Sequence, residues 1–447
     1  MKFLDDVIAD ITPSPGEKKK TDAAISEVSA ELKKLGVTPV LVGSVAKGTD
    51  LIGETDVDLF IPFPSDTKPE ELESHGLDVG KKLFKNLKTE YEIDYAEHPY
   101  VKGVYKGIVF EIVPFFGSGK FKTSVDRTPL HTKFIMQKEQ SGKIDVGQVR
   151  LLKKFMKSQN VYGAEAKVMG FSGYLVELLV FQYGSFVDVL KAASDWKYGE
   201  VIDPAGLWED RSALNYYFTG ADLVVVDPVD QDRNVAAAVS REKMSEFMVF
   251  ARGFLAKPSK EWFFPPEKIP PSIDELLVLG KGRGTHLVAI EIIHPKLNVN
   301  TLYGQLRRTL KSIAETVESD DFEIFKSGFW SNESDFSILL FEFEVWELPP
   351  LKRVRGPPID TDIVNQDKFL EKYSKNNPYV EGGFWFVDGK RKFILVDELL
   401  LYVIGSKAGF GKDLRLKGEF GLETLKGLFY KRKDKGILIY LEKFLKN

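Results

Sequence analysis

Apolar residues recur along this chain with two different periods, and the places where the period changes divide it. Between Asp22 and Leu35, the residues Ile25, Val28, Leu32 and Leu35 fall at helical spacing, with Thr21 as N-cap and Gly36 as stop. The spacing predicts an amphipathic helix. Next, VTPVLVGS reads as a short apolar strand that breaks at Gly43, and DVDLFIPF as a second strand closed by Pro62 and Pro64. A polar, helix-like span to about Leu87 leads into three strand-like runs: YEIDYAEHP, YVKGVYKG and IVFEIVPFF. The last two are joined at Lys106 and Gly107 as a hairpin would be. Helix, strand and mixed sheet predict an α/β head over residues 1–140.

From Asp145 the pattern turns helical. DVGQVRLLKKFMKSQNVYG places Val149, Leu152 and Met156 on one face beside Arg150, Lys153, Lys154 and Lys157, and SGYLVELLVFQYGSFVDVLKAA predicts a further helix from Ser172. These define a helical central domain over 141–256. The segment KPSKEWFFPPEKIPPS holds five prolines in sixteen residues, which predicts a stiff linker and the sharpest domain boundary in the chain. Beyond it THLVAIEIIHP reads as a strand, NTLYGQLRRTLKSIAETV as a helix, and FEIFKSGFWS and DFSILLFEFEVWEL as two more strands. That order is the start of a ferredoxin-like or RNA-recognition-type layer over 257–447, closed by a smaller basic α+β tail. The expected class is α+β and multi-domain.

Composition changes this picture in three ways. The chain has no cysteine, which excludes disulfides and thiolate metal sites, so any metal must sit on oxygen or imidazole. The five histidines show no metal-ligand spacing. The opening MKFLDDVIAD carries acids where a signal peptide carries basic residues, and no run approaches eighteen apolar residues, so a cytoplasmic protein without a membrane span is expected. Finally, the net charge of −4 conceals an asymmetry: Phe386 to Asn447 holds 14 Lys plus Arg against 8 Asp plus Glu. That local excess suits a polyanion, although a solvated Lys-rich surface is the commoner origin of such runs.

The chemistry lies in GSVAKGTDLIGETDVDLF. A strand turns alternate side chains to one face, so Asp56 and Asp58 share a face with Cα atoms roughly 6.5 Å apart. Carboxylates so placed can hold divalent cations about 3.5 to 4 Å apart, the arrangement that serves in-line displacement at phosphorus. Glu111 is the candidate third ligand, because it is the one charge in IVFEIVP and would be costly to bury alone. Gly43 and Ser44 follow a strand and open a turn, where free backbone N–H groups and a hydroxyl can hold triphosphate oxygens, and Lys47 adds charge one turn on. Phosphate cradle, spacer and carboxylate pair, in that order, are the layout of a nucleotidyltransferase palm. The plainer readings are a solvated strand edge for the acids, a capped helix start for Gly43 and Ser44, and a surface charge for Lys47. GKGRGTH, from Gly280 to His286, reads as a connection because a strand follows it.

The stretch resembles the Gly-Ser-x(n)-Asp-x-Asp signature of the polymerase-beta nucleotidyltransferase superfamily. HPYVKGVYKGIVFEIVPFF, VDRTPLHTKF, VRLLKKF, VYGAEAKVMGFSGYLVELLVFQYGSF and VVVDPVDQDRNVAAAVS are similar to its archaeal-type (class I) CCA-adding branch, in order and spacing from about residue 10 to 256. The resemblance implies a polymerase-beta-like palm and an enzyme that adds C, C and A to the 3′ end of tRNA without a nucleic-acid template. It implies two Mg2+ ions on Asp56, Asp58 and Glu111, with CTP and ATP as substrates contacted at the triphosphate by Gly43, Ser44 and Lys47. His131 and Lys153 would lie near phosphates, Tyr162 near the sugar, and Arg233 near the base, where it would help choose cytosine or adenine. The tRNA partner would be gripped at its acceptor and T arms, with no membrane partner, and a homodimer is one arrangement left open. One departure is the third acid, Glu111, where Asp is more usual. Taken singly, His131 could cap a helix, Lys153 could be one of four solvated cations and Tyr162 could be core. The alternatives are a poly(A) polymerase or other terminal nucleotidyltransferase, or a non-catalytic RNA-binding protein that keeps the fold.

Overall fold

The computed structural model describes residues 1–95, 98–117, 121–267, 269–406, 409–416 and 422–446. Its contacts separate two compact units, Met1–Glu267 and Lys268–Asn447.

The first unit opens with α1 (Phe3–Ile11) and α2 (Pro15–Lys34). The second of these begins well before Asp22, because Ser14 and Glu17 cap each other reciprocally and Pro15 is preorganised for the first helical position. Thr21, expected as the cap, is therefore a buried mid-helix residue. Then come β1 (Val40–Val42), α3 (Gly43–Lys47), β2 (Asp56–Phe63), α4 (Pro69–Asn86), β3 (Tyr91–Tyr95), β4 (Pro99–Tyr105) and β5 (Ile108–Phe116). The strands form one sheet in the order β1-β2-β5-β4-β3, with β2 and β5 parallel and every other pair antiparallel. Lys106 and Gly107 join β4 to β5 with φ of 51° and 78°, the doubly positive turn that matches strand twist. Val57, Leu59, Ile61, Phe110 and Ile112 point to one face and bury Ala24, Val28 and Leu32 of α2 and Leu83 and Phe84 of α4. The opposite face is left for the acids.

The helical part of this unit holds α5 (Thr128–Gln140), α6 (Val146–Ser158), α7 (Gly173–Tyr183), α8 (Phe186–Asp195), β6 (Glu200–Ile202), α9 (Arg211–Tyr217), β7 (Leu223–Asp227), β8 (Asp230–Asn234) and α10 (Arg241–Ala256). The single helix expected from Ser172 is two helices, α7 and α8, at 93°. Gly184 at φ 90° ends the first and Ser185 caps the second. Among the described residues no single helix is long and apolar enough to cross a membrane, and the bent α7–α8 pair lies in this core. The core also takes in Leu4, Val7 and Ile11 of α1 and, at its far end, Phe263. Phe263 is fully buried against Phe155, Phe186 and Phe254. The first half of the proline-rich segment is thus part of the helical core, and the compact unit ends at Glu267 rather than at residue 256.

The second unit contains α11 (Ile273–Gly282), β9 (His286–Ile293), α12 (Val299–Ser319), β10 (Glu323–Ser331), β11 (Phe336–Val345), β12 (Leu351–Pro358), α13 (Ile363–Lys372), β13 (Tyr379–Glu381), β14 (Phe384–Lys390), α14 (Val396–Ser406), β15 (Arg415–Leu416), α15 (Leu422–Arg432) and α16 (Lys435–Lys446). Strands β10-β11-β9-β15 form an antiparallel sheet. With α12 and α14 as its crossovers this is a complete βαββαβ ferredoxin-type layer, interrupted after β11 by the small sheet β12-β14-β13 and α13. Leu287, Ala289, Phe336, Ile338 and Leu340 are buried with residues of α11, α15 and α16, while Val288, Ile290, Leu339 and Phe341, on the alternate face, are buried as well. Among the described residues, these positions of β9 and β11 are thus covered on both faces and leave no central platform for bases to stack on. GKGRGTH runs from the end of α11 into β9, a connection as expected, with Arg283 paired to the buried Glu342.

Candidate active site

The parallel pairing of β2 with β5 sets Asp58 directly opposite Glu111 and Asp56 opposite Val109. Side chains at matched positions share a face, so the three acids stand together on the side of the sheet turned away from α2 and α4. Asp56 is exposed, whereas Asp58 and Glu111 are half-buried. Protein surrounds the Asp58 carboxyl closely enough that desolvation, with the Glu111 and Asp56 charges added, pushes it up to about 7. A carboxyl so disfavoured as an anion has room for a cation's charge, and three oxygen ligands without sulfur or imidazole suit a hard divalent ion.

A neighbouring strand already supplies one positive charge. Lys102 on β4 pairs in register with Glu111, and its Nζ lies 3.0 Å from Glu111 Oε1. Burial alone would lower the Lys102 ammonium, but the Glu111 hydrogen bond and charge carry it upward overall. The Tyr100 hydroxyl reaches Asp94 Oδ2 at 3.2 Å and Glu111 Oε1 at 3.5 Å. With Glu111 drawn toward this pair, no group of three Asp, Glu or His side chains among the described residues converges closely enough to grasp an ion.

Gly43, directly after β1 and first in α3, lies beside these acids with φ of 77°. A Cβ built on it would collide with Asp58 Oδ2, so glycine is required both by the backbone and by the carboxylate. Ser44 is the second residue of the single-turn α3, and Lys47 closes it.

Lys47 is not free. Its Nζ lies 2.7 Å from Glu177 Oε2 on α7, both side chains being almost completely buried, and Thr49 Oγ1 donates to the other Glu177 oxygen at 2.9 Å. Arg150 of α6 donates to the Gly48 and Asp50 carbonyls, and Lys153 Nζ to the Thr49 carbonyl at 3.3 Å. The loop after α3 is therefore held by α6 and α7. Burial brings the Lys153 ammonium down to about 8, against the pull of Glu177. Lys153 also stands over the Tyr162 ring at 5.7 Å, so Lys47, Lys153 and Tyr162 meet around Glu177.

His131 and Arg233 meet elsewhere, on Asp227 at the end of β7. His131 Nε2 lies 2.8 Å from Asp227 Oδ2, which also accepts from Arg233 Nη1 at 2.8 Å. Tyr174 stacks on the His131 ring at 3.9 Å between centroids and donates to Asp227 Oδ1 at 3.1 Å. Burial lowers the His131 imidazole despite the adjoining carboxylate. Arg233 lines a cleft of about 670 Å3 with Arg127, Ser172, Asp230 and Asp232. Lys47 joins the three groups, since its charge is felt at Asp58, His131 and Lys153.

Sequence reasoning missed Lys102, Glu177, Asp227 and Tyr174. Two of these carry the signal that singled out Glu111: Glu177 is a lone acid within GYLVELLVFQY, and Asp227 ends a run of valines.

Known proteins can be set beside this geometry. Residues 24–140 match the family described as Nucleotidyltransferase domain, 147–264 the tRNA nucleotidyltransferase second domain, and 283–425 the CCA-adding enzyme C-terminal domain. The CCA-adding enzyme of Archaeoglobus fulgidus is 38% identical over 400 residues, covering 89% of this chain and 88% of that protein. The CCA-adding enzyme of Methanosarcina mazei is 35% identical over 459 residues, covering 98% and 97%. That of Methanothermobacter thermautotrophicus is 38% identical over 368 residues, covering 81% and 78%. With this similarity carried across both compact units, the chain belongs to the CCA-adding enzyme family.

Proposed function

We infer that this chain, a tRNA nucleotidyltransferase, completes the tRNA 3′ end with C, C and A by direct attack of the terminal 3′-hydroxyl on the α-phosphate of CTP or ATP. A bond forms from the 3′-oxygen to the α-phosphorus, the bond to the bridging oxygen breaks, and pyrophosphate leaves. The observation that carries the reading is the register of β2 and β5, which sets Asp58 opposite Glu111 with Asp56 on the same face.

Catalysis in this family of nucleotide-using transferases is metal-dependent. Two Mg2+ ions on Asp56, Asp58 and Glu111 would supply activation of the attacking hydroxyl and neutralisation of the leaving pyrophosphate. For its part, Glu111 must turn from Lys102 toward the aspartates, which leaves Lys102 free to face an incoming phosphate. The Gly43–Ser44 turn offers backbone N–H groups and a hydroxyl to the triphosphate, and Lys47 adds charge beneath it. Lys153 and His131 complete the phosphate side, Tyr162 the sugar side, and Arg233 reads the base from the cleft it lines. Arg353 over Phe386 at 4.0 Å and Arg355 over Phe384 at 3.5 Å give the small sheet of the second unit a cationic, aromatic surface. It supports binding of the acceptor and T arms through phosphates and A-form shape. A cytoplasmic location goes with this substrate.

The test is incorporation. Purified protein with Mg2+ is given one labelled nucleotide at a time and tRNA ending in the discriminator base, C, or CC. CTP added to the first two substrates and ATP to the third alone is the expected result. Long A tails would instead identify a polyadenylating enzyme, and no incorporation, with no effect of Asp58→Ala, would leave only RNA binding.

A further inference from the structure

We propose that Asp227 is a positioning residue of this site: one buried carboxylate locks His131 in a single protonation form and aims Arg233, so that the phosphate side and the base side of the nucleotide pocket move as one unit.

An ionised carboxylate has about four lone-pair positions, and only as acceptors. In Asp227 all four are filled. Oδ1 accepts from the Tyr174 hydroxyl and the Val229 backbone N–H, both at 3.1 Å, and Oδ2 accepts from His131 Nε2 and Arg233 Nη1, both at 2.8 Å. The carboxylate has no exposed surface. Burial by itself would raise it, but His131, the Val229 amide and Arg233 together hold it below the ordinary aspartate range. It is therefore an anion, and its neighbours must each present a hydrogen.

The consequence for His131 is definite. Facing an acceptor, Nε2 must carry the proton, and the ring is pinned flat between this bond and the Tyr174 stack at 18°. That leaves Nδ1 as the ring atom for a ligand. The charged and titratable groups around the ring are Asp227, Arg233, Lys47 and Tyr174, and with burial they leave it neutral near pH 7. A neutral ring protonated on Nε2 offers Nδ1 as an acceptor, so it serves the phosphate side through a bound water, or takes a neighbouring sugar hydroxyl, instead of meeting a bare phosphate oxygen directly. Arg233 is constrained by the same anion. One amino group is spent on Asp227, and the rest of the guanidinium remains for the cleft, where Asp230 is claimed by Arg127 at 2.7 Å. A third of the Arg233 side chain is open to solvent, so the exposed part of the fork is the part that can meet a base.

This rests on the reading that His131 and Arg233 line the nucleotide pocket, and the experiment separates the two. The full-length protein is labelled with 15N-histidine, and the five histidines are resolved by long-range 15N–1H correlation. In the native protein His131 should show a protonated Nε2 and an unprotonated Nδ1 at pH 7. Asp227→Asn offers one acceptor oxygen and an NH2 where all four partners donate, so this pattern should be lost. In the same variant KM for CTP on tRNA ending in C, and for ATP on tRNA ending in CC, should rise ~tenfold with kcat changed less than ~threefold. His131→Ala and Arg233→Ala should each raise KM, and Asp227→Asn combined with Arg233→Ala should be no worse than the poorer single variant. If the single variants raise KM while Asp227→Asn leaves both KM and the histidine spectrum unchanged, the proposal is overturned and the pocket reading stands. If His131→Ala and Arg233→Ala leave KM untouched, the pocket reading falls and the proposal with it. Should Asp227→Asn lose its cooperative melt, Tyr174→Phe keeps the carboxylate and three of its four bonds. It should raise KM ~threefold with Nε2 still protonated, and an unchanged KM there would equally overturn the proposal.

Discussion

Lys47 and Glu177, separated by 130 positions in the chain, form an ion pair at 2.7 Å with almost no solvent access to either side chain. The pair ties the single turn after β1, the proposed phosphate cradle, to the helix α7. Removing one member of a buried pair strands the other charge, a loss of about 3–5 kcal/mol. Glu177→Gln should therefore lower stability by ~3 kcal/mol in urea melts, and adding Lys47→Met should recover most of it. A loss below ~1 kcal/mol would mean that the pair is hydrated in solution.

Gly43→Ala should be far more damaging to activity than to folding. The added methyl meets Asp58 Oδ2 and a backbone φ of 77°, so Asp58 has to move. The positive φ costs ~1 kcal/mol of stability. On the proposed reading Asp58 is catalytic, and displacing such a carboxylate by even 1 Å costs ~100-fold in rate. The ratio of kcat to melting temperature, measured side by side, checks this; an active variant would place the acid elsewhere.

Lys102 holds the Glu111 carboxylate at 3.0 Å, so on the proposed reading it competes with the cation. Lys102→Met should tighten Mg2+ or Mn2+ binding by ~threefold, because the partly exposed ion pair it breaks is worth under ~1 kcal/mol. Metal titration followed by thermal shift reads this without reference to turnover. A weaker affinity in the variant would show that Lys102 positions Glu111 for the metal instead of withholding it.

Lys153 sets a pH dependence. Burial brings its ammonium to about 8, below the 10.5 of a free lysine, so the folded state binds this proton less firmly than the unfolded chain does. The burden on stability is full below pH 8, fades between pH 8 and 10.5, and is gone above that. Lys153→Met should raise stability by up to ~3 kcal/mol at pH 7, with the gain shrinking as pH rises through that window. Over the same range the native enzyme's KM for nucleotide should climb as the ammonium is lost, and Lys153→Arg should flatten the climb.

Phe263 is fully buried among aromatic residues of the helical core. Phe263→Ala should cost ~3–5 kcal/mol by opening a cavity there. A chain cut after residue 267 should melt cooperatively where one cut after 256 does not; equal melts would return the boundary to residue 256.

Much of the active face was legible because strands alternate and apolar strands rarely carry charge. Asp56 and Asp58 share a face by period alone, and Glu111 stood out against Val109, Phe110, Ile112 and Val113. The βα order of the second unit was legible as far as β11, but the closing strand β15 is separated from β11 by the 69 residues 346–414, which hold both the small sheet and α14, and two residues carry no pattern. The start of α2 was misplaced because the apolar period begins late in that helix, while its true start is written in Ser14, Pro15 and Glu17.

By itself the sequence determined what is local: the elements, the shared face of the two aspartates, the breaking glycines, and the carboxylates that would need partners. Periodicity, capping and backbone sterics act over a few residues, so they can be read in order. Only the tertiary structure decided which partner each charge receives. It set Glu111 against Asp58 by a parallel register, gave Glu111 to Lys102 and Lys47 to Glu177, and gathered His131, Tyr174 and Arg233 on Asp227. Those pairings join positions up to 130 residues apart, and they exist because a buried charge must be met by whichever opposite or hydrogen-bonding group the fold carries to it.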